Sequence, residues 1–327
     1  MSLFTIGASR YGVLVSKDWM AIAMCSSLDR ARGVLYGQVI GDNLGALVEF
    51  RGPETIAEMY PNGVRELADG GVHTLIAGQA TDDSEMALAL ARSIVRNDGF
   101  VVEDVKESYL RWAHSNPFDI GATCANALLR GRLDESSQAN GALMRVSPLG
   151  IYAARLSEDD ARALAKADCL LTHPHHICQE INQAFVAAIA AAVRDELSAT
   201  QVLDLLAADE SDVVRELVAQ ARAGEVHDLV SRMGSVKNAF FQAVWELARG
   251  ENFEESVVHA ISLGGDTDTN GAVCGALLGA VYGVQAIPER WRKVIDQCEP
   301  GPGTVQPRDP EYWPNDVHQL AARLLGE

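Results

Sequence analysis

Six side chains with carboxylate or hydroxyl oxygens stand in two short motifs, TDDSEM and GGDTDTNG. They are Thr81, Asp82, Asp83, Asp266, Asp268 and Thr269. Hard divalent cations prefer oxygen ligands of these types. If the two motifs meet in the fold, their carboxylates repel one another unless cations lie between them. Such a group would suit two Mg²⁺ or Mn²⁺ ions, which can orient substrate hydroxyls and activate water.

Each motif also has a simpler interpretation as a helix N-terminus. Thr and Asp are preferred at N-caps, and acidic residues in the first turn complement the helix dipole. For a lone TDD motif, capping is the commoner explanation. The carboxylates of Asp266 and Asp268 and the hydroxyl of Thr269, all within four residues, exceed what one cap needs. The chain has no Cys/His spacing typical of a zinc site, and this argues against zinc in particular.

The segments around these motifs have the patterns of helices. The stretch DDSEMALALARSIVRN places apolar residues at helical spacing behind its acidic start. An uncharged stretch rich in glycine and alanine follows the second motif and predicts a buried helix. Glycines at 33, 37, 41 and 45 fall four apart, so they line one helix face and let another backbone approach closely. Asp42 lies in that helix, where we expect a structural role, and Glu49 follows it.

Most of the remaining chain also shows helical periodicity, which predicts an all-α fold of ten or more helices. The best strand signals are YGVLVS and GGVHTLI. No Pro/Ser-rich linker divides the sequence. We therefore expect one compact domain over residues 28–327, preceded by an N-terminal extension of residues 1–27.

Composition restricts the classes of partner. The 327 residues are 48% hydrophobic and carry a formal net charge of -18, which disfavours sequence-independent binding to nucleic acid. The six cysteines form no CxxC pair, as expected for reduced thiols in the cytoplasm. The longest uncharged apolar run is shorter than the ~20 residues of a membrane span. We expect a cytoplasmic protein that binds neither nucleic acid nor membrane.

Seven stretches between about residues 30 and 295 together resemble the ADP-ribosylglycohydrolase family. In chain order they are GVLYGQVIGDNLGALVEF, TDDSEMALALA, DIGATC, NGALMRVSPLG, LTHPHH, SLGGDTDTNGAVCGALLGAVYG and IPERW. The resemblance implies an all-α fold with a binuclear Mg²⁺ or Mn²⁺ site. It also implies hydrolysis of the glycosidic bond between ADP-ribose and an acceptor, often arginine.

The resemblance also assigns roles by position. Thr81, Asp82, Asp83, Asp266, Asp268 and Thr269 match metal ligands. Glu49 matches an acidic residue that acts as ligand or acid/base, and we name Glu49, Asp83 and Asp266 as the catalytic group. Residues that match substrate contacts are Asp119, Gly121, Asn140, Gly141, Met144 and His173. Related sequences often have Asn where this chain has Ala122, so a polar substrate contact is missing here.

The predicted function is hydrolysis of ADP-ribosylated arginine on a protein, which would reverse the action of an ADP-ribosyltransferase. The alternative is an immunity protein that binds and occludes an ADP-ribosyltransferase toxin through residues 1–27, with or without hydrolysis. The extension is apolar, and an acidic surface suits a basic partner. A simpler interpretation is that residues 1–27 pack on their own domain, as apolar segments usually do.

Overall fold

Residues 26–327, which the computed structural model describes, form α-helices joined by turns and loops. The helices are α1 (Ser27–Ala46), α2 (Pro53–Met59), α3 (Asp82–Asn97), α4 (Val102–His114), α5 (Ala122–Arg130), α6 (Ser147–Ala153), α7 (Glu158–Leu170), α8 (His176–Arg194), α9 (Ala199–Ala207), α10 (Asp212–Ala223), α11 (Val236–Arg249), α12 (Phe253–Ser262), α13 (Thr267–Tyr282), α14 (Glu289–Asp296) and α15 (Val317–Leu325). Short 3₁₀ turns span Val284–Ala286 and Pro310–Tyr312. The predicted all-α class is confirmed. None of these helices is both long and apolar enough to cross a membrane.

Helices α1 and α13 touch through their backbones along a shared row of glycines. The facing pairs are Gly33 with Gly279, Gly37 with Gly275, and Gly41 with Gly271. As the residue number rises on one helix it falls on the other, so the two helices are antiparallel. A Cβ atom at any of these glycines would overlap a carbonyl oxygen of the partner helix. The glycine spacing on α1 therefore marks the close helix contact that its sequence predicts.

Helix α13 lies at the centre of the fold. It contacts α1, α8, α11 and α12, and all its residues from Thr267 to Val281 are buried. Helix α8 is nearly as enclosed, with a continuous buried run from Ala184 to Val193. Helices that are apolar on every side can be stable only inside such a packed core. The core thus holds the N-terminal end of α13 in a fixed position.

The turn after α1 is joined to the turn before α13. The backbone N–H of Phe50 donates to the carbonyl of Gly265 at 2.8 Å, and the N–H of Gly265 donates to the carbonyl of Arg51 at 2.9 Å. The Thr267 hydroxyl donates to the carbonyl of Gly45 at 2.7 Å. Gly265 has a φ of 84°, a value that favours glycine. These bonds place Glu49 beside the start of α13.

The strand predicted from GGVHTLI is wrong. Gly70 and Leu75 form an isolated antiparallel bridge that closes a tight turn, and no strand extends from it. Gly70, Gly71 and Thr74 have φ values of 139°, 74° and 57°, which are incompatible with an extended strand. Two adjacent glycines therefore override the β-branched residues that suggested a strand.

The N-terminal extension lies almost entirely outside the described residues. Ser26 is the N-cap of α1, and its hydroxyl accepts a hydrogen bond from the N–H of Asp29. The other strand signal, YGVLVS, also lies outside the described part of the chain. Within residues 26–327, the five cysteines from Cys124 to Cys298 are buried and form no disulfide with one another.

Gly37→Ala should destabilise the protein by about 3 kcal/mol or more, because the new methyl group would overlap the carbonyl oxygen of Gly275. Urea unfolding followed by circular dichroism measures the effect. Gly303→Ala is the matched control, since a Cβ atom there meets no atom within 4 Å. Equal stability of the two variants would contradict the backbone contact.

Candidate active site

Asp42 caps the helix that carries the TDD motif. Its carboxylate, on α1, accepts hydrogen bonds from the backbone N–H groups of Thr81 (3.2 Å) and Ser84 (3.1 Å). Thr81 occupies the N-cap position of α3, but its own side chain makes no capping bond. Burial raises the pKa of Asp42 to about 7, and these hydrogen bonds oppose the rise. Because Asp42 performs the capping, the carboxylates of Asp82 and Asp83 are not needed for it.

The starts of α3 and α13 meet at a cavity of about 250 Å³. Every residue predicted for the site lines this cavity except Thr81. Those that do are Glu49, Asp82, Asp83, Asp119, Gly121, Asn140, Gly141, Met144, His173, Asp266, Asp268 and Thr269. Thr81 is fully buried, and its hydroxyl lies 3.4 Å from a carboxylate oxygen of Asp83. The two acidic motifs, 183 or more residues apart in the sequence, thus converge as they must to share cations.

The acidic side chains raise one another's pKa values. Burial is the largest cause for Asp82, Asp83 and Asp268, and the pKa of each stands well above its ordinary value. The second cause is a neighbouring carboxylate: Asp119 for Asp82, Asp82 for Asp83, and Glu49 for Asp268. Their ionised forms therefore require nearby positive charge.

The oxygen atoms of this cluster fit a divalent cation. Carboxylate oxygens of Glu49, Asp266 and Asp268 all lie within 4.8 Å of one another. Oδ1 of Asp83 is buried and has no hydrogen-bond partner within residues 26–327, although buried polar atoms are nearly always paired. These oxygens are ligands of the type that hard divalent cations prefer.

A loop and a helix N-terminus supply the neutral side of the cavity. The Asn140 side-chain amide donates to Oδ2 of Asp266 at 2.7 Å, and the N–H of Gly121 donates to Oδ2 of Asp82 at 3.3 Å. A Cβ atom at Gly141 would lie 3.0 Å from the ring of His173, so glycine lets this ring reach the cavity. Asn140 and Gly121 thus hold the carboxylates, and Gly141 admits the histidine.

A family model described as ADP-ribosylglycohydrolase matches residues 25–327. The chain belongs to the ADP-ribosylglycohydrolase family. It is 31% identical over 282 residues to the ADP-ribosyl-[dinitrogen reductase] glycohydrolase of Rhodospirillum rubrum, covering 82% of this chain and 90% of that protein. It is 28% identical over 311 residues to an ADP-ribosylarginine hydrolase of Serratia proteamaculans, covering 86% and 81%.

A solved structure described as an ADP-ribosylglycohydrolase-related protein complex superposes with a TM-score of 0.75. Its sequence is 31% identical, and the alignment covers 92% of this chain and 98% of that chain. The resemblance deduced from the sequence motifs is therefore confirmed at the level of family and fold.

His73, which lies beside two residues of the cavity wall, is not identified by the sequence analysis. Its Nε2 lies 3.1 Å from Oε2 of Glu49 and 3.7 Å from Oδ2 of Asp119. Hydrogen bonding to Glu49 raises the pKa of His73, and burial partly opposes this. The interpretation of GGVHTLI as a strand hides this residue, although two adjacent glycines are equally typical of a loop.

Phe50 was also missed. It lines the cavity next to Glu49, its side chain is 58% exposed, and its φ is 62°. A bulky residue with positive φ is uncommon, and such conformations occur mainly at functional sites. The adjacent acidic residue was the only sequence signal, because conformation is not visible in the residue type.

Asp83→Asn should stabilise the cation-free protein increasingly as pH rises. The folded-state pKa of Asp83 is raised, so its ionisation favours the unfolded chain. The unmodified protein therefore loses stability relative to the variant once pH passes about 4, the ordinary value for Asp.

Thermal melts in chelator at several pH values between 4 and 8 test this. We expect the Tm of Asp83→Asn, relative to that of the unmodified protein, to increase by at least about 2 °C from the lowest to the highest pH. Asp159→Asn, at an exposed position on α7, should show no comparable growth. A constant difference for Asp83→Asn would contradict the charge cluster.

Proposed function

We propose that this chain is a divalent-cation-dependent hydrolase that removes ADP-ribose from ADP-ribosylated arginine on proteins. Its role would be to reverse the action of an ADP-ribosyltransferase. The observation that supports this most is the convergence of two acidic helix starts on one cavity, in a chain of the ADP-ribosylglycohydrolase family. The family supports the bond that is cleaved, and the crowded carboxylates support the need for cations.

The residues that would hold two Mg²⁺ or Mn²⁺ ions are Thr81, Asp82, Asp83, Asp266, Asp268 and Thr269. Bound cations supply electrostatic orientation of the ribose hydroxyls and a water of lowered pKa. Within the chain, Asn140 fixes Asp266, and the N–H of Thr269 donates to Oδ1 of Asp268 at 2.9 Å. These bonds fix the directions of the Asp266 and Asp268 carboxylates before any ligand binds.

Arginine is the favoured acceptor. The relative from Serratia proteamaculans carries the name ADP-ribosylarginine hydrolase. A guanidinium group is always cationic and binds carboxylates through paired hydrogen bonds. Asp119 is 30% exposed and lies beside His73, close to Glu49. Carboxylates at this position favour a cationic acceptor over a neutral one.

Hydrolysis breaks the bond between the anomeric carbon of ribose and the guanidinium nitrogen. Water contributes its oxygen to the anomeric carbon and its protons to ribose and to the departing nitrogen, so arginine and ADP-ribose are released. Burial raises the pKa of Glu49, so this carboxyl holds a proton more readily than an exposed one. We assign proton transfer to Glu49, and to Asp83 and Asp266 the fixing of the reacting groups.

The remaining predicted residues would hold the ADP-ribose moiety. Asp119, Gly121, Asn140, Gly141 and Met144 all line the cavity. The N–H groups at the start of α5, directly after Gly121, suit an anionic diphosphate. His173 closes the cavity behind Gly141.

The alternative role, occlusion of a toxin by the N-terminal extension, depends on residues 1–27. The described structure begins at Ser26, and no observation in it favours this role. A toxin partner and a cytoplasmic location both stay predictions. The buried unpaired thiols support a reducing compartment.

Activity should require a divalent cation. The purified full chain, incubated with arginine-linked, serine-linked and O-acetyl-linked ADP-ribose, should release ADP-ribose from the arginine compound. EDTA should abolish this release, and Mg²⁺ or Mn²⁺ should restore it, because the carboxylates need cations to act together. Full turnover in chelator would refute cation dependence, and exclusive release from another linkage would refute the arginine acceptor.

Asp268→Asn should lower the hydrolysis rate by on the order of 100-fold or more, since one carboxylate of the cation cluster is lost. The rate with saturating cation and arginine-linked ADP-ribose measures this. Asp159→Asn removes the same charge at an exposed position that does not line the cavity, and it should keep the unmodified rate. A folded Asp268→Asn protein with full activity would exclude this residue from the site.

A further inference from the structure

A buried arginine lies behind the wall of the cavity. Arg145 and Asp168 have fully buried side chains, and Nε of Arg145 donates to Oδ2 of Asp168 at 3.2 Å. The Tyr109 hydroxyl donates to Oδ1 of Asp168 at 2.7 Å, and the guanidinium group stacks 4.4 Å from the centroid of the Tyr109 ring. Asp168 thus neutralises Arg145 and fixes its orientation.

The guanidinium group reaches the cavity through a threonine and a histidine. Nη1 of Arg145 donates to Oγ1 of Thr172 at 2.8 Å, and Oγ1 of Thr172 lies 2.8 Å from Nδ1 of His173. Thr172 and His173 are both fully buried. The three side chains therefore form one continuous hydrogen-bonded row from Arg145, which precedes α6, to His173 at the cavity.

Counting hydrogens along this row decides the tautomer of His173. Arginine can only donate, so the Thr172 hydroxyl accepts from Arg145. The hydroxyl has one hydrogen of its own to donate, and within residues 26–327 its other hydrogen-bonded neighbour is Nδ1 of His173. A buried hydroxyl hydrogen needs an acceptor. Nδ1 must therefore be the unprotonated nitrogen, and the ring hydrogen lies on Nε2.

The other ring nitrogen, Nε2, is left without a partner in a residue that lines the cavity. Nε2 of His173 is buried and has no hydrogen-bond partner among the described residues, and His173 lines the cavity. Burial, followed by the charge of Arg145, lowers the pKa of His173 to about 3. The ring is thus neutral, and its unpartnered N–H needs an acceptor oxygen from a ligand.

We propose that Arg145 and Thr172 are positioning residues that hold His173 as the Nε2–H tautomer, so that it donates a hydrogen bond to a phosphate or ribose oxygen of bound ADP-ribose. The identity of the ligand rests on the proposed function, whereas the tautomer follows from the row of hydrogen bonds alone. In this arrangement His173 acts as neither a base nor a cation ligand, because either role needs a lone pair on Nε2.

The tautomer can be measured on the full chain without ligand. In protein labelled with ¹⁵N at histidine, multiple-bond ¹H–¹⁵N correlation spectra distinguish protonated from unprotonated ring nitrogens. The His173 signals are those that disappear in His173→Gln. We expect Nε2 protonated and Nδ1 unprotonated. A protonated Nδ1 in the unmodified protein would overturn the proposal.

Variants test the role of Thr172. Thr172→Val keeps the shape but removes the hydroxyl, so the Nδ1 signal should shift and the Kd for ADP-ribose should rise about fivefold. Thr172→Ser should restore both. Tyr109→Phe is the matched control, since it also removes one hydroxyl from the Arg145–Asp168 cluster, but none that touches His173. It should lower stability while leaving the His173 signals and the Kd unchanged.

The outcomes separate this proposal from the proposed function. A folded Thr172→Val protein with unmodified His173 signals and Kd would overturn the positioning role. Failure of the unmodified protein to bind ADP-ribose would overturn the proposed function and the ligand assigned to His173, while the free-protein spectra would still decide the tautomer. The addition of ADP-ribose should shift the Nε2–H signal of the unmodified protein, and an unshifted signal at saturation would overturn the donor role.

Discussion

The backbone contact between α1 and α13 is the constraint on which the site depends. Glycines spaced four apart on both helices leave no Cβ atom at the points where the backbones touch, so the two axes approach more closely than ordinary side-chain packing allows. The last member of the α1 row, Gly45, meets Thr267 at the first residue of α13. This fixes the register, and the register places Glu49, which follows α1, against Asp266 and Asp268, which begin α13.

Repulsion between the buried carboxylates makes this arrangement unfavourable, and other parts of the fold compensate for it. Burial and mutual repulsion raise the pKa values of Asp82, Asp83 and Asp268, so the ionised cluster opposes folding when no cation is bound. The carboxylates nevertheless keep their positions because their backbone is held by other groups. Asp42 caps α3 in their place, and the glycine-packed core fixes the start of α13. The packing of the helices thus stabilises a carboxylate cluster that would be unfavourable by itself.

The sequence allowed the family, the helices and the acidic motifs to be predicted, because these depend on local patterns. Helix α3 spans the segment predicted from DDSEMALALARSIVRN. That the two acidic motifs converge could not be predicted from local patterns, because no local pattern indicates which helix packs against the glycines of α1. The glycines at 271, 275 and 279 repeat the same spacing and could have identified the partner. His73 and the row from Arg145 to His173 could not be found this way, because tertiary contacts between distant segments create them.

The many carboxylates in the cavity explain why the rest of its wall is built from amides and a neutral histidine rather than from basic side chains. No lysine or arginine lines the cavity within residues 26–327, although ADP-ribose carries an anionic diphosphate. A basic side chain in that wall would form ion pairs with the aspartates and compete with cations for them. Arg145 is instead neutralised by Asp168 behind the wall, and its charge disfavours protonation of His173. The charge of Arg145 is thus paired behind the wall, and the proposed ligand contact is the N–H of His173, which would bind an anion without competing for the carboxylates proposed to hold cations.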